Sequence, residues 1–520
     1  MNIQNNPYND QVQGGMPPHM PMSTPPVPPN WNRTSIMMPV MKKPIVFPKW
    51  VTQYSVVAYI LALAVVSFMY SAYSIPWYYM LSGVVFVCIF FLYSSTLIEQ
   101  TSVLKMRRKK RFERRIFIIS LVLRVVWTVL IYTLFMQNYG DAFGFENGDP
   151  DFYHQQGLEF AEAIQNGNFG EVWTRVSKNI DVSDLGYPAY IGLLYSITDN
   201  SVLVVRLIKC ILSALMVLLI YRLSKRNFGP QVARIAAIFV ALWPNFWYYC
   251  GTHLKETEMV FLGVLFVEQA DQMLRSRNFT AWKIILLIII AVAIYTVRIP
   301  LALVALLALL FAIVMSSSRV VNWGKRIIVG ALAVVLIGVT MGNRIQEEAK
   351  GLIDTVRTDQ QEKNMKWRGE REHGNSFAKY AGKSVFAPLI FTIPFPSYVR
   401  PFEGQDQQQL LNGGNFVKNI MSAFVLFAMF MLLVSGKWRD HLLPLSFLLG
   451  YLVVLTMSNF AQSERVHQPA MPFEFMFAAY GLSIALTKPK YKRWFTYWCV
   501  LMVVACIAWN WFKMAGRGLA

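Results

Sequence analysis

Residues 141–151 carry four carboxylates close together: Asp141, Glu146, Asp149 and Asp151. A positioned carboxylate can take the proton of an attacking hydroxyl group. Gly148 and Pro150 flank Asp149, which predicts a turn that opens a helix, and acidic residues are favoured at a helix start by the helix dipole. On spacing alone, a solvated helix start explains these residues at least as well as a catalytic site.

A second group of ionisable residues lies at the outer ends of apolar segments: Lys255, Glu256, Arg298, Arg465 and His467. Charges at a membrane edge are costly and usually face a cavity or a partner, although each one alone could equally be an interfacial side chain that reaches water. Together with the acidic stretch they indicate an outer-face cavity, with carboxylates on one wall and cations on another. Such cations suit a phosphate group.

The elements that carry these residues are expected to be membrane-spanning helices. The chain is 55% hydrophobic and only 15% charged, whereas a soluble domain has about 25% charged residues. A spanning helix needs about 20 mostly apolar residues. We therefore predict an all-α polytopic membrane protein with about 13 transmembrane helices, near 51–73, 77–98, 116–136, 202–222, 231–248, 254–273, 281–297, 300–316, 326–342, 417–435, 442–459, 469–487 and 494–512.

Two shorter helices are expected in the first outer loop. The segment from Asp149 to Asn166 predicts an amphipathic helix at the membrane surface, with an apolar face formed by Phe152, Phe160 and Ala163. Residues 184–195 are apolar but too short for a span, so an interfacial helix is expected there.

The basic loops predict the orientation. Six of them, at 105–115, 222–226, 275–277, 319–326, 437–441 and 488–493, fall on one face, which the positive-inside rule assigns to the cytoplasm. Large loops at 137–201 and 343–416 fall on the outer face. The formal net charge of +20 is thereby explained without a nucleic-acid partner, and membrane lipids are expected around the bundle. The pattern, with no targeting peptide, suits a multi-pass protein of a bacterial plasma membrane with a cytoplasmic N-terminus.

Four regions follow from this organisation. Residues 1–48 are rich in Pro, Met, Asn and Gln and are expected to be a disordered cytoplasmic tail. Residues 49–115 form an accessory transmembrane hairpin and a basic loop, 116–487 the catalytic core, and 488–520 a C-terminal transmembrane helix. The five cysteines lie in or beside apolar segments without a CxxC pair, and no metal-ligand cluster is evident.

The order of these features resembles the GT-C superfamily of polytopic glycosyltransferases, in the branch of the protein O-mannosyltransferases and the aminoarabinose transferase of lipid A. The resemblance covers about 116–487. It is carried by Asp149 with Tyr153 four residues later, the Tyr-Pro element at 187–188, Arg206, Trp-Pro at 243–244, Glu256, Arg298 with Pro300, Arg465 with Pro469 and Pro472, and the span with Ala-Ala-Tyr-Gly at 478–481. The family often has Asp-Glu where this chain has Asp149-Pro150, so Asp151 is a rival for the acidic position.

The resemblance implies a transferase that moves a sugar from a polyprenyl phosphate to a hydroxyl group of a lipid, glycan or protein on the outer face. In that scheme Asp149 takes the acceptor proton; Asp151 orients the acceptor or is the rival base. Arg298, Lys255, Arg465 and, if protonated, His467 stabilise the leaving phosphate, and Tyr153, Glu256 and Tyr187 are expected to bind substrate. A divalent metal is sometimes used by similar proteins, and the acidic stretch would permit one; none is expected here. No nucleotide-binding motif is present.

Two other classes compete with this interpretation. A transporter or flippase of lipid-linked sugars would show internal repeats and charges at mid-membrane, and neither is evident in the sequence. An outer-face polysaccharide polymerase or ligase would place its catalytic Arg and His in the late outer loop, where Arg371 and His373 lie.

Overall fold

Seven helices of the computed structural model are long and apolar enough to cross a membrane. They are Lys49–Met69, Trp77–Gln100, Arg111–Tyr139, Val202–Phe228, Gln408–Val434, Lys437–Met457 and Tyr491–Ala515. The structure describes residues 47–101, 109–144, 148–168, 182–276, 281–318, 389–399, 406–457, 463–488 and 490–515, with a few single positions between these ranges. The described residues contain no β-strand, only an isolated antiparallel bridge between Ser74 and Val399, and they belong to one compact unit, Met41–Ala520.

In chain order the α-helices are α1 (Lys49–Met69), α2 (Trp77–Cys88), α3 (Ser94–Gln100), α4 (Lys109–Tyr139), α5 (Asp149–Asn166), α6 (Val182–Thr198), α7 (Val202–Phe228), α8 (Pro230–Leu242), α9 (Pro244–Gly251), α10 (Glu256–Arg275), α11 (Ala281–Val297), α12 (Ile299–Met315), α13 (Asn412–Val434), α14 (Leu442–Met457), α15 (Glu464–His467), α16 (Met471–Ala485) and α17 (Tyr491–Ala515). A π-helical segment, Ile89–Tyr93, joins α2 to α3, and 3₁₀ turns precede α13 and α14.

Every predicted span overlaps a helix except 326–342, which lies almost wholly outside the described residues. Four apolar helices, α8, α11, α12 and α16, are shorter than the seven long ones. The count of about 13 spans therefore stays a prediction. Nearly all of the tail at 1–48, most of the loop at 343–416, and Glu146, Arg371 and His373 also lie outside the described residues.

The predicted span at 231–248 is two helices. The chain leaves α8 at Trp243, whose backbone is extended (φ −70°, ψ 120°), and Pro244 begins α9. Proline disfavours a helical backbone in the residue before it and has no N–H to continue the helix. The indole Nε1 of Trp243 donates to the carbonyl of Gly414 at 3.0 Å, which fixes the break against α13.

The expected accessory hairpin packs on the C-terminal helices. Trp50 of α1 contacts Phe495 of α17, with 5.3 Å between ring centroids. Tyr59 of α1 contacts Phe416 of α13 at 4.9 Å. A Cβ added at Gly413 of α13 would lie 2.8 Å from the carbonyl oxygen of Gly83 in α2, so these two helices touch backbone to backbone.

The two helices predicted in the first outer loop are present as α5 and α6, and they pack closely on each other. Glycines make this possible: a Cβ added at Gly157 would lie 2.6 Å from Ile191, and one added at Gly192 would lie 2.2 Å from Phe160. The packed side of α5 is Tyr153, Gly157 and Ala161. The predicted apolar face is divided, because Ala163 is buried whereas Phe152 is 43% exposed.

Candidate active site

Arg465 joins two carboxylates that are far apart in the sequence. Its Nη1 pairs with Asp149 Oδ2, and its Nε pairs with Glu256 Oε1. Asp149 is the first residue of α5 and Glu256 the first of α10, positions where the helix dipole favours an acid. The Asp149 side chain is 55% exposed and that of Glu256 only 3%. A substrate would therefore reach this group from the Asp149 side.

Lys255 and Arg298 lie beside the same group. Lys255 Nζ donates to the carbonyl of Val297 at 3.0 Å and lies 5.8 Å from the ring centre of Tyr153. Burial, reinforced by the charge of Arg298, lowers the pKa of Lys255 to about 8. Arg298 is half-buried and immediately precedes α12. Two cations thus stand next to the Arg465 bridge.

Two tyrosines line the protein side of the site. Tyr153 is buried, and its ring meets that of Tyr187 edge to face, with 5.1 Å between centroids. Burial raises the pKa of Tyr153, and the neighbouring Glu256 carboxylate adds to the rise. Lys209 Nζ lies 3.5 Å from the Tyr187 hydroxyl, so Tyr187 connects the site to the buried interior.

The remaining predicted residues, Asp151 and His467, lie to either side. Asp151 is exposed on α5. Burial lowers the pKa of the neighbouring His154, and the negative charge of Asp151 partly opposes that shift. His467 is 1% exposed, and its Nδ1 lies 2.8 Å from Lys418 Nζ. His467 therefore faces a buried lysine and not the exposed side of Asp149.

A buried polar cluster behind Arg465 did not stand out in the sequence. Glu464 Oε2 accepts from the Tyr249 hydroxyl at 2.5 Å, and Glu464 Oε1 accepts from Asn245 Nδ2 at 2.8 Å and from Gln468 Nε2. Burial raises the pKa of Glu464 to about 7. The sequence signal was weak: Asn245 and Tyr249 are one helical turn apart, but nothing in the chain relates them to Glu464.

A second buried lysine supports the turn before α10. Lys209 Nζ donates to the carbonyls of Thr252, at 2.8 Å, and Leu254, and lies 3.8 Å from Glu258 Oε2. Beside it, the Tyr195 hydroxyl lies between His154 Nδ1, at 2.7 Å, and His253 Nε2, at 3.4 Å. These contacts fix the segment that presents Lys255 and Glu256.

The space enclosed behind Glu256 is too small for a sugar. A cavity of about 10 Å³ is lined by Tyr249, Glu256, Thr257 and Gln468 and has room for roughly one water molecule. A larger ligand must lie on the exposed side of Asp149 and Arg465. Within the part of the chain that the structure describes, no three His, Cys, Asp or Glu side chains are grouped to hold a metal ion.

The long apolar helices define a multi-pass membrane protein, and the charged site joins the first residues of α5 and α10 with Arg465. Residues 185–341 match the family model described as dolichyl-phosphate-mannose-protein mannosyltransferase. The match confirms the resemblance to GT-C glycosyltransferases over that segment. Searches of curated proteins and of solved structures found no match.

The matched segment contains only part of the site. It begins in α6 and includes Tyr187, Lys255, Glu256 and Arg298. Asp149, Asp151, Tyr153, Arg465 and His467 lie outside it. The contact of Arg465 with both Asp149 and Glu256 thus ties residues beyond the match to a residue within it.

Proposed function

We propose that this protein transfers a sugar from a polyprenyl phosphate to a hydroxyl group of a lipid, glycan or protein on the outer face of the membrane. The observation that carries the proposal is the Arg465 bridge between Asp149 and Glu256, with Lys255 and Arg298 beside it. An accessible carboxylate and three cations are thereby brought together from four separate parts of the chain. The family match supports the lipid-linked donor.

The reaction needs a base on one side and positive charge on the other. Asp149 takes the proton of the acceptor hydroxyl as that oxygen attacks the sugar, and Asp151 is the rival for this role. The bond from the sugar to the phosphate oxygen breaks, and negative charge grows on the phosphate. Arg298, Lys255 and Arg465 stabilise that charge.

Helix geometry adds to this attraction for an anion. α5, α10 and α12 all begin at the site, and helix N-termini present unpaired N–H groups and a partial positive charge. Tyr153, Tyr187 and Glu256 form the wall against which the sugar rests. His467 contributes in this scheme through its contact with Lys418, which holds the turn that carries Arg465, not by touching the phosphate.

Arg465 has two possible anionic partners in the catalytic cycle. Its guanidinium contacts Asp149, and a phosphate entering beside Lys255 would compete for the same guanidinium. In this proposal donor binding draws Arg465 away from Asp149, so that the carboxylate becomes available to the acceptor hydroxyl. The acceptor would then react only on an enzyme already loaded with donor.

The test is transfer of a radiolabelled sugar from polyprenyl phosphate by the purified full-length protein in nanodiscs. Wild type should transfer the sugar and Arg465→Ala should lose most of the rate. Lys437→Ala, on the turn before α14, is the control that should behave as wild type.

Movement of labelled lipid between leaflets without transfer would support the transporter. Loss of activity in Arg371→Ala and His373→Ala, with Asp149→Asn unaffected, would support the polymerase or ligase.

A further inference from the structure

The turn that carries Arg465 is anchored on both sides. α15 has only four residues, too few to be stable alone. The Tyr451 hydroxyl donates to the carbonyl of Val466 at 2.8 Å, and His467 contacts Lys418. The residue directly before Arg465, Glu464, is held by the most contacts. Arg465 thus projects toward Asp149 from a turn in which the Glu464 and His467 side chains contact buried residues.

The Glu464 carboxylate accepts three hydrogen bonds. Its donors are the Tyr249 hydroxyl at 2.5 Å, Asn245 Nδ2 at 2.8 Å, and Gln468 Nε2. Glu464 is 8% exposed and Asn245 is fully buried. A buried donor that loses its partner carries the full cost of its desolvation. The network therefore favours one position of the Glu464 side chain strongly over others.

Asn245, one of the donors to Glu464, is itself held by α13. Asn245 Nδ2 also donates to Asn415 Oδ1 at 3.0 Å. A Cβ added at Gly414 would lie 1.8 Å from Asn245 Oδ1, so α13 closes tightly over this amide. Asn245 and Tyr249 both lie on α9, the helix that exists because Pro244 breaks the chain after α8. The break thus turns two polar side chains toward Glu464.

We propose that Glu464 is a positioning residue that acts through Arg465: its hydrogen bonds to Asn245, Tyr249 and Gln468 hold the turn that keeps the neighbouring guanidinium within reach of Asp149, Glu256 and the donor phosphate. The proposal deepens the function proposed above and rests on it. Glu464 does not touch the substrate, because it lies on the interior side of the turn.

The first test compares two substitutions of Glu464 in the transfer assay. Glu464→Gln keeps an acceptor oxygen and the shape of the side chain, so kcat should stay within about threefold of wild type. Glu464→Ala removes both acceptor oxygens and with them all three hydrogen bonds, and displacement of Arg465 should lower kcat by about 100-fold while KM for the acceptor changes little. Equal losses in the Gln and Ala variants would overturn a role based on hydrogen bonding.

A double-mutant cycle shows whether the effect passes through Arg465. In an Arg465→Lys background, which cannot span both carboxylates, Glu464→Ala should lower kcat by less than about threefold. An undiminished 100-fold loss in that background would overturn the proposal, because Glu464 would then act independently of Arg465. Tyr249→Phe removes one donor and fits the same space, so it should lower kcat by about tenfold. It replaces Glu464→Ala in the cycle if that variant does not fold.

A second readout does not require activity. Phenylglyoxal modifies accessible arginines, and its rate at Arg465 can be followed by labelling the protein in nanodiscs and quantifying the modified peptides by mass spectrometry. Glu464→Ala, or Tyr249→Phe in its place, should raise that rate several-fold, Glu464→Gln should match wild type, and the exposed Arg439 is the internal control. An unchanged rate at Arg465 would overturn the proposal. If wild type transferred no sugar, the proposed function would fail and this labelling would still decide the positioning role.

Discussion

Arg465 is the residue on which the site converges. Its guanidinium has donors in a planar fork, and here they are divided between an exposed carboxylate, Asp149, and a buried one, Glu256. Removal of the arginine would leave Glu256 as a buried charge without its ion-pair partner, which is costly. The residue is therefore expected to matter for the stability of the site as well as for the reaction.

The pH dependence of donor use should report on Lys255. Burial lowers its pKa to about 8, so the ammonium is charged below pH 8 and loses its charge as the pH rises through that value. Since a charged Lys255 attracts the donor phosphate, kcat/KM for the donor should fall above about pH 8. The measurement is the rate of transfer between pH 6 and 10.

Two variants serve as controls for the Lys255 profile. Lys255→Met should lower kcat/KM for the donor by roughly tenfold or more, about 1.4 kcal/mol, and flatten the profile in this range. Lys255→Arg should keep its charge and move the fall to higher pH. A Lys255→Met profile that still falls at pH 8 would show that another group is responsible.

The sequence predicts the charged residues of the site better than their connections. Asp149, Lys255, Glu256, Arg298 and Arg465 stand out because charges are scarce at the ends of apolar segments, and the structure brings all five together. It does not group His467 with them. Which partner each residue has depends on side-chain packing between distant helices, which periodicity and spacing cannot reveal. For that reason the sequence does not distinguish Glu464 as a site residue.

Among the helices, α5 and α6 position Asp149, the proposed base. Gly192 lets α6 approach so closely that an added Cβ would lie 3.0 Å from the Gly157 carbonyl oxygen. Gly192→Ala should therefore push α5 away, destabilise the protein by about 1–3 kcal/mol, and lower the transfer rate. The thermal midpoint and the transfer rate should fall together. Gly170→Ala, where an added Cβ would meet nothing within 4 Å, should leave both unchanged.

The sequence predicts where the helices lie more accurately than which side of each helix is buried. Apolar length predicted nearly every described helix, and Gly148 with Pro150 predicted the start of α5. The sequence predicts Phe152 on the apolar face of α5, but this side chain is exposed. The side of α5 that is buried is the one that packs on α6 at Gly157. That choice depends on a neighbouring helix and leaves no periodic signal in α5 itself.

For the whole molecule, the orientation in the membrane is a prediction that labelling can test. If the basic loops face the cytoplasm, the start of α5 faces outward. A membrane-impermeant maleimide should then label Asn168→Cys in intact cells, because this position follows α5 and is exposed. Ser435→Cys, exposed at the far end of α13, should react only after the cells are permeabilised. The unsubstituted protein, with its five native cysteines, gives the background. Labelling of Ser435→Cys in intact cells would reverse the proposed topology.

The most direct test of the central claim is sugar transfer from polyprenyl phosphate by Asp149→Asn, compared with wild type and with Asp151→Asn. Asparagine retains the shape of the side chain but cannot take a proton at neutral pH. Asp149→Asn is expected to fold and to lose at least about 100-fold in kcat, while Asp151→Asn keeps most of the activity. A fully active Asp149→Asn protein, with Asp151→Asn inactive, would contradict the assignment and give the base to Asp151; activity in both would remove the carboxylate mechanism altogether.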